Sequence, residues 1–527
     1  MEEERTMIRS FKLGCCAITV LAVIGLMLTP AGTMAADKEI KIALTSDAVH
    51  VDPQQGNELT SNIMFNHFYD TLVRRTAALD FVPGLAESWE LKDELTWVFK
   101  LRKGVKFHNG DELKASDVLF SIERCKTQLM SNLVRYIAEA KAIDDYTVQI
   151  KTPQPYAVLH MDLSEFHILN EEYVKEVGDE QLNLKPMGTG PYQLVEWVKE
   201  DHMTLKAFDG YYLGPPEIKK VTFRPITNPA TRTAALLTGE VDIIQDLAVR
   251  DADRIKSNDK LNLITRPSLL NIVLALDYRE KSPTIDLPVN PMKDVRVREA
   301  IARAIDVDTI DRVIMNGLAT PSDQYVPSSH IGYVDGLDFR QVYPFDLEKA
   351  NALMKEAGYA DGFTMTLDAT NNRYVNDQQV AQALAGMLAK IGITVQLNLM
   401  PKSNFFGYIR VPSDKSSFIM SGWDTPSGDA GGMYNSMMYS RDKKMGYGQA
   451  NRGAYASEEF DAWIDKADAT PRVEERDKFL QEATKVAVRD IVLIPVHYEQ
   501  DLYATKKNVD LKPRVDKFIW TYEIDIK

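Results

Sequence analysis

Cysteine is almost missing from this chain, with three in 527 residues. Two of them, Cys15 and Cys16, sit in an apolar run near the N-terminus, which leaves Cys125 alone in the remainder. One thiol makes no intrachain disulfide, and no CxxC pair exists to hold zinc or carry redox chemistry. Positive charge is also in short supply. Lys and Arg number 62 against 76 Asp and Glu, a net charge of −14. That balance argues against general nucleic-acid binding, which needs a basic face to neutralise phosphates. Beyond the N-terminal run, apolar stretches are short and broken by charge, so no further membrane span is expected. No linker rich in Gly, Ser or Pro and no internal repeat is present, which points to interwoven lobes rather than domains in series. Enzyme signatures are absent as well: there is no P-loop, no GxSxG elbow and no HExxH. Gly188-Thr189-Gly190-Pro191 contains GxG, but Pro191 lacks the amide a phosphate cradle would use, so it reads as a tight turn between lobes. His160 and His167 are seven apart, roughly 10 Å along a helix, too far for one metal. No metal and no cofactor is expected.

What is present is ordinary globular composition, 45% apolar and 26% charged. The length suits two or three lobes with a core large enough to need no disulfide. Arg9 and Lys12 precede the apolar run from Leu13 to Leu28, and Pro30 and the small residues Ala31 to Ala36 follow it. This is the pattern of a secretory signal peptide cleaved after Ala35 or Ala36, with Met7 an alternative start. An uncleaved anchor is the other reading. Residues 1–36 are thus expected to be removed, and the mature chain to work in the periplasm.

Helix and strand signals alternate thereafter. A strand is expected at Lys41 to Leu44, a helix from Leu59 to Val73 and a strand from Leu95 to Leu101. Asn228-Pro229 opens a helix that Gly239 closes, before a strand at Val241 to Ile244. The same order recurs at Leu347 to Ala357 followed by Phe363 to Leu367. It recurs again from Asp377, where Val380, Leu384, Leu388 and Ile391 form a stripe, Gly392 ends it, and Ile393 to Leu399 alternate. The fold class is α/β. Leu101 to Gly110 reads as an amphipathic strand and turn, and Pro83 to Trp89 as a helical turn presenting a buried tryptophan.

Ordered segments run through most of the chain: Val51-Asp52-Pro53, Phe68 to Leu72, Pro83 to Glu90, Leu101 to Gly110, Ala115 to Val118, Gly188 to Tyr192, Gly239 to Asp242, Val295 to Ile301, Ala357-Gly358-Tyr359 and Ser421-Gly422-Trp423. Together they resemble the extracytoplasmic solute-binding proteins of ABC transporters, family 5, the dipeptide- and oligopeptide-binding group. The resemblance implies a bilobal, type II periplasmic-binding-protein-like fold with an extra third domain. Lobe I would comprise 37–80, 187–290 and 506–527, the extra domain II 81–186, and lobe III 291–505. It implies a receptor that encloses a small peptide or peptide-like solute and hands it to an ABC permease driven by separate ATPase subunits. Such a protein is no enzyme, and a monomer is expected.

Carried over by position, the cleft would be lined by Asp47, Ala48 and Val49, by Asn371, Asn372 and Arg373, and by Gly422, Trp423 and Asp424. Trp423 offers a flat wall, Gly422 backbone groups for an extended ligand, and Arg373 a planar fork for a carboxylate. Peptide-binding relatives place an aspartate three residues after the tryptophan to hold the α-ammonium, whereas this chain has Pro426. Either Asp424, Asp429 or Asp47 takes that role, or the ligand is not a free-amino peptide. The alternatives are another solute, such as a glutathione-like compound, a metal chelate or an oligosaccharide, or a secreted hydrolase. Gly428 to Gly432 suggests a flexible or close-approach loop.

Overall fold

The computed structural model of the protein describes residues 38–527 apart from 57, 412–414 and 443–445. The leader expected at 1–36 lies outside the described residues. No helix among the described residues is long and apolar enough to cross a membrane.

Local signals build the elements much as expected. The Asn228 side chain accepts the Thr231 amide hydrogen at 3.0 Å, and Pro229 occupies the first turn of the helix Pro229–Thr238. Gly239 ends that helix in the left-handed region, with φ 80°. The helix Asp377–Leu388 buries Val380, Leu384 and Leu388, and Gly392 turns the chain into the strand Ile393–Met400. One helix is shorter than its apolar pattern. Leu59–Phe68 stops at Phe68 because the amide of Gly190 donates to the Phe68 carbonyl at 3.0 Å. A Cβ at Gly188 would stand 2.2 Å from the same oxygen, so the Gly188–Pro191 turn is a close backbone approach that only glycine allows.

Among the described residues, eleven strands form the main sheet. Its axis is a pair of long antiparallel strands, Leu261–Ala275 and Leu493–Lys506. At one end Leu493–Lys506 pairs with Ile243–Gln245, which leads through the parallel strands Lys38–Leu44 and Ile218–Pro225. At the other end Leu261–Ala275 pairs with Phe418–Trp423, then Phe363–Thr370 and Ile393–Met400 follow in parallel. The long pair loses register between Pro267 and Asn271, so Ser268, Leu269 and Leu270 have no cross-strand partner. Pro267 has no amide to give a ladder, and such a bulge bends the strand. Each half-sheet has its own apolar core, one around Ile42, Phe65 and Val221, the other around Val273, Leu367 and Val496. The fold is therefore bilobal, with two strands running through both lobes. That explains why no linker marks a boundary.

A third core surrounds Phe99, Phe107, Val118 and Ile150, against a separate four-stranded antiparallel sheet. Two expectations are corrected here. Trp89 lies on the strand Ala86–Asp93, half-buried and paired with Phe99, not beside a helical turn. Leu101 to Gly110 is no continuous strand, because the strand Thr96–Leu101 ends at Leu101, Gly104 and Gly110 both take positive φ, and beyond Leu101 the described ladder is a single bridge from Lys106 to Glu112. Val105 and Phe107 are still buried, so their alternation reports the core and not a ladder.

This third domain packs against Ile331 and Val473 of the second lobe, and a buried acid lies near that contact. Asp162 accepts the Tyr156 hydroxyl at 2.7 Å, and its carboxyl is pushed up to about 7 by burial, with Glu165 and Asp429 adding repulsion. A carboxyl raised in the fold stabilises fully below its ordinary 3.8, and that contribution is lost as pH rises through 7. Asp162→Asn should remove this dependence. Between pH 5 and 8 the wild type should lose about 1–2 kcal/mol relative to the variant, a gap of about 1–2 °C in melting temperature for a chain this long. Melting curves of the two that stay parallel across that range would contradict the titration assigned to Asp162.

Candidate functional site

A cavity of about 1010 Å³ lies where the two lobes and the third domain face one another. Its floor is the irregular stretch of the long strand pair, with Ser268 to Leu270 of one strand and Glu499 of the other. One wall carries Phe65, Tyr69, Arg74 and Arg75, the opposite wall Asn372 to Asn376, Asp424 and Pro426, and the C-terminal segment adds Arg514, Lys517 and Trp520.

Buried polar contacts set these side chains in place. The Asp377 carboxylate accepts the Thr370 hydroxyl at 2.7 Å and the amides of Arg373 and Tyr374 at 3.0 and 3.2 Å. It thereby fixes the loop that presents Asn372 and Arg373. The next amide, Val375, donates to Glu499 at 2.7 Å and ties this loop to the floor. Arg74 stacks on Trp520, 4.7 Å from the ring centroid.

Of the nine residues expected at the ligand, Asn372, Arg373 and Asp424 line the cavity. The other six do not. Asp47 accepts the Trp197 indole N–H at 3.1 Å and the Glu200 amide at 2.9 Å, so it braces the lobe. Ala48 is buried and Val49 is 56% exposed, while Thr45 and Ser46 of the same loop reach the cavity. Asn371 stops one residue short of the lining. Gly422 is packed under Tyr374 and Leu270, where a Cβ would meet carbons at 2.8 and 2.9 Å. Trp423 packs against the second lobe's core. Asp429 is held by Arg476 at 2.7 and 2.9 Å.

The cavity lining is charged in both senses. No ion pair or side-chain hydrogen bond engages the side chains of Arg74, Arg373 or Lys402 among the described residues, and none engages Asp246 or Asp424. The Asp424 carboxyl is raised by the crowded cleft, with Arg373 and Lys517 pulling it down. Glu499 is raised by burial, opposed by Lys517, the Val375 amide and Arg373. Burial alone would lower the Lys517 ammonium, but Asp246, Asp501 and Glu499 together hold it above its ordinary value. His167, also on the lining, is kept neutral, pushed down to about 3 by burial and by Arg75. Arg373, Lys402 and Asp424 are exposed to the solvent of the cleft, so their charges are open to a solute. The lining suits a small solute carrying both signs.

Residues 80–445 match the family described as bacterial extracellular solute-binding proteins, family 5 Middle. The chain is a family 5 solute-binding protein. Curated relatives of this binding protein include the glutathione-binding protein GsiB of Salmonella paratyphi A, 29% identical over 501 residues, 93% of this chain and 94% of that one. GsiB of Pectobacterium atrosepticum is 30% identical over 413 residues, covering 75% and 76%. Among solved structures, HbpA2 from Haemophilus parasuis superposes with a TM-score of 0.81 at 24% identity, over 93% of this chain and 100% of that one. The periplasmic binding protein DppA from Helicobacter pylori, in complex with the peptide STSA, gives 0.74 at 25% identity, over 93% and 98%. The binding protein thus has the bilobal type II fold with a third domain, and it is a solute receptor of the class that serves ABC importers.

Proposed function

We propose that this receptor captures a short peptide or peptide-like zwitterion, with glutathione the first compound to test, and delivers it to a membrane permease. The observation that carries the reading is the cavity lined by unpaired Arg74, Arg373 and Lys402 together with unpaired Asp246 and Asp424. Glutathione has two carboxylates and one ammonium at separate points, and relatives named for binding it align over nearly the full chain. In this reading the leader is cleaved, the mature chain works in the periplasm as a monomer, and the lobe of 37–80, 187–290 and 506–527 closes on that of 291–505. The protein does no chemistry on its ligand.

The test is calorimetric titration of purified protein, freed of co-purified ligand by unfolding and refolding. The probes are glutathione, tripeptides of natural linkage, a nickel–histidine chelate and maltotriose. Glutathione or a tripeptide should bind, and a probe at 100 times its dissociation constant should add about 2.7 kcal/mol of stability. The ligand should be recovered chemically intact. Binding of the sugar or chelate alone would overturn the peptide reading, and recovery of a cleaved ligand would make the protein a hydrolase.

A further inference from the structure

Four acids gather at one end of the cleft floor, among Lys517, Arg373, Arg266 and Arg232. Glu499 and Asp501 sit two residues apart on Leu493–Lys506 and so share a face of the sheet. Asp246 and Lys517 approach from adjoining loops, both with left-handed backbone, φ 52° and 64°. Asp424 and Arg373 complete the group from the other lobe. The Lys517 ammonium stands 2.8 Å from Asp501. Asp501, 1% exposed, is thereby paired. Glu499, 3% exposed, accepts the Val375 amide and no other donor among the described residues. Asp501 is served by Lys517 and by Arg266, its partner across the ladder, which leaves Glu499, Asp246 and Asp424 on the cavity lining with no ion pair among the described residues.

We infer that this corner is the seat of a ligand ammonium group, with Glu499 its principal partner and Asp246 and Asp424 beside it. The inference rests on the peptide reading above and specifies which end of the ligand lies where. An ammonium offers three donors and one positive charge, which is what these three carboxylates call for. Position 426 is then free of that duty. Pro426 instead gives its carbonyl to Arg75. The carboxylates of the same ligand fall to Arg74 and Lys402, cations on the lining that no ion pair engages among the described residues.

Glu499→Gln tests this, because glutamine keeps an acceptor for the Val375 amide and removes only charge. The probes are glutathione and its des-amino analogue glutaryl-Cys-Gly, which differs by the ammonium alone, with Ala-Ala-Ala and propionyl-Ala-Ala as a second matched pair. Wild-type protein should prefer the amine member of a pair by about tenfold or more, and Glu499→Gln should lose most of that preference, chiefly through weaker binding of the amine. Without ligand, Glu499→Gln should melt at the same temperature as wild type or higher, since it removes a buried negative charge that no ion pair engages among the described residues. A residue needed only for structure would instead lower the melt and weaken both probes alike. Wild-type binding that ignores the amine, or an unchanged preference in Glu499→Gln, overturns the ammonium seat and leaves the peptide reading standing. No binding of either pair by wild type overturns both.

Discussion

Exchanging Arg476 for methionine should cost about 3–5 kcal/mol of stability. Arg476 lies on the helix Val473–Asp490 with 4% of its side chain exposed. Its Nε and Nη2 donate to the two oxygens of Asp429 at 2.7 and 2.9 Å, and its Nη1 to Asp468 at 2.8 Å. One guanidinium therefore compensates two carboxylates inside the second lobe. The backbone makes room for it at Gly431, where a Cβ would fall 2.2 Å from Nη2. This is the close approach for which the glycine-rich stretch after Pro426 exists. Methionine matches the length but leaves Asp429 and Asp468 buried and unpaired. For a chain of this size the loss corresponds to a fall of about 3–5 °C in melting temperature. Adding Asp429→Asn and Asp468→Asn to the same chain should recover most of it, because the cost lies in the abandoned charges and not in the missing bond. A single variant that melts within a degree of wild type would refute the account.

The sequence was most legible where local rules and packing agree. Asn228, Pro229 and Gly239 bound their helix as their chemistry dictates, and the stripe from Val380 to Leu388 is buried as its period requires. Reading failed where tertiary contact overrode a local pattern. Phe68 ends its helix because Gly190, distant in sequence, takes its carbonyl. Val105 and Phe107 alternate without being a strand because two glycines curl the chain around them. The cleft was only partly legible. Resemblance located the loop of Asn372 and Arg373, and Asp424, but could not say that the Asp47 carboxylate is taken up by Trp197 and Glu200. The floor was missed, although a signal was present. Glu499 and Asp501 interrupt a strand that is otherwise almost wholly buried, and a charge at a central strand position is rare unless paired or used. Asp246 and Lys517 carried no such mark, since only the folded chain brings them beside that strand.

Removing the Arg75 side chain should weaken ligand binding by about tenfold to a hundredfold. Arg75 belongs to the short strand Val73–Arg75 on one side of the cleft, and Pro426 follows the strand Phe418–Trp423 on the other. The guanidinium donates to the Pro426 carbonyl and pairs with Glu165 at 3.0 Å, with 6% of the side chain exposed. Arg514 holds the Arg75 carbonyl at 3.2 Å, so the donor is anchored from its own lobe. The bond to Pro426 exists only while the lobes stand together, and opening returns both groups to water. A hydrogen bond from a charged donor contributes about 1.5–3 kcal/mol net, and here all of it favours the closed form. Since ligand affinity falls with the population of the closing-competent state, Arg75→Ala passes that loss on to the dissociation constant, mainly as faster release. Arg75→Lys keeps the charge without the fork and should fall between. Arg75 also touches the cavity, so affinity alone does not separate closure from direct contact. Small-angle scattering does. With saturating glutathione, wild type should contract relative to its free form, and Arg75→Ala should contract less at equal occupancy. Full contraction in the variant would make Arg75 a ligand contact and not a latch, and unchanged affinity would remove it from both roles.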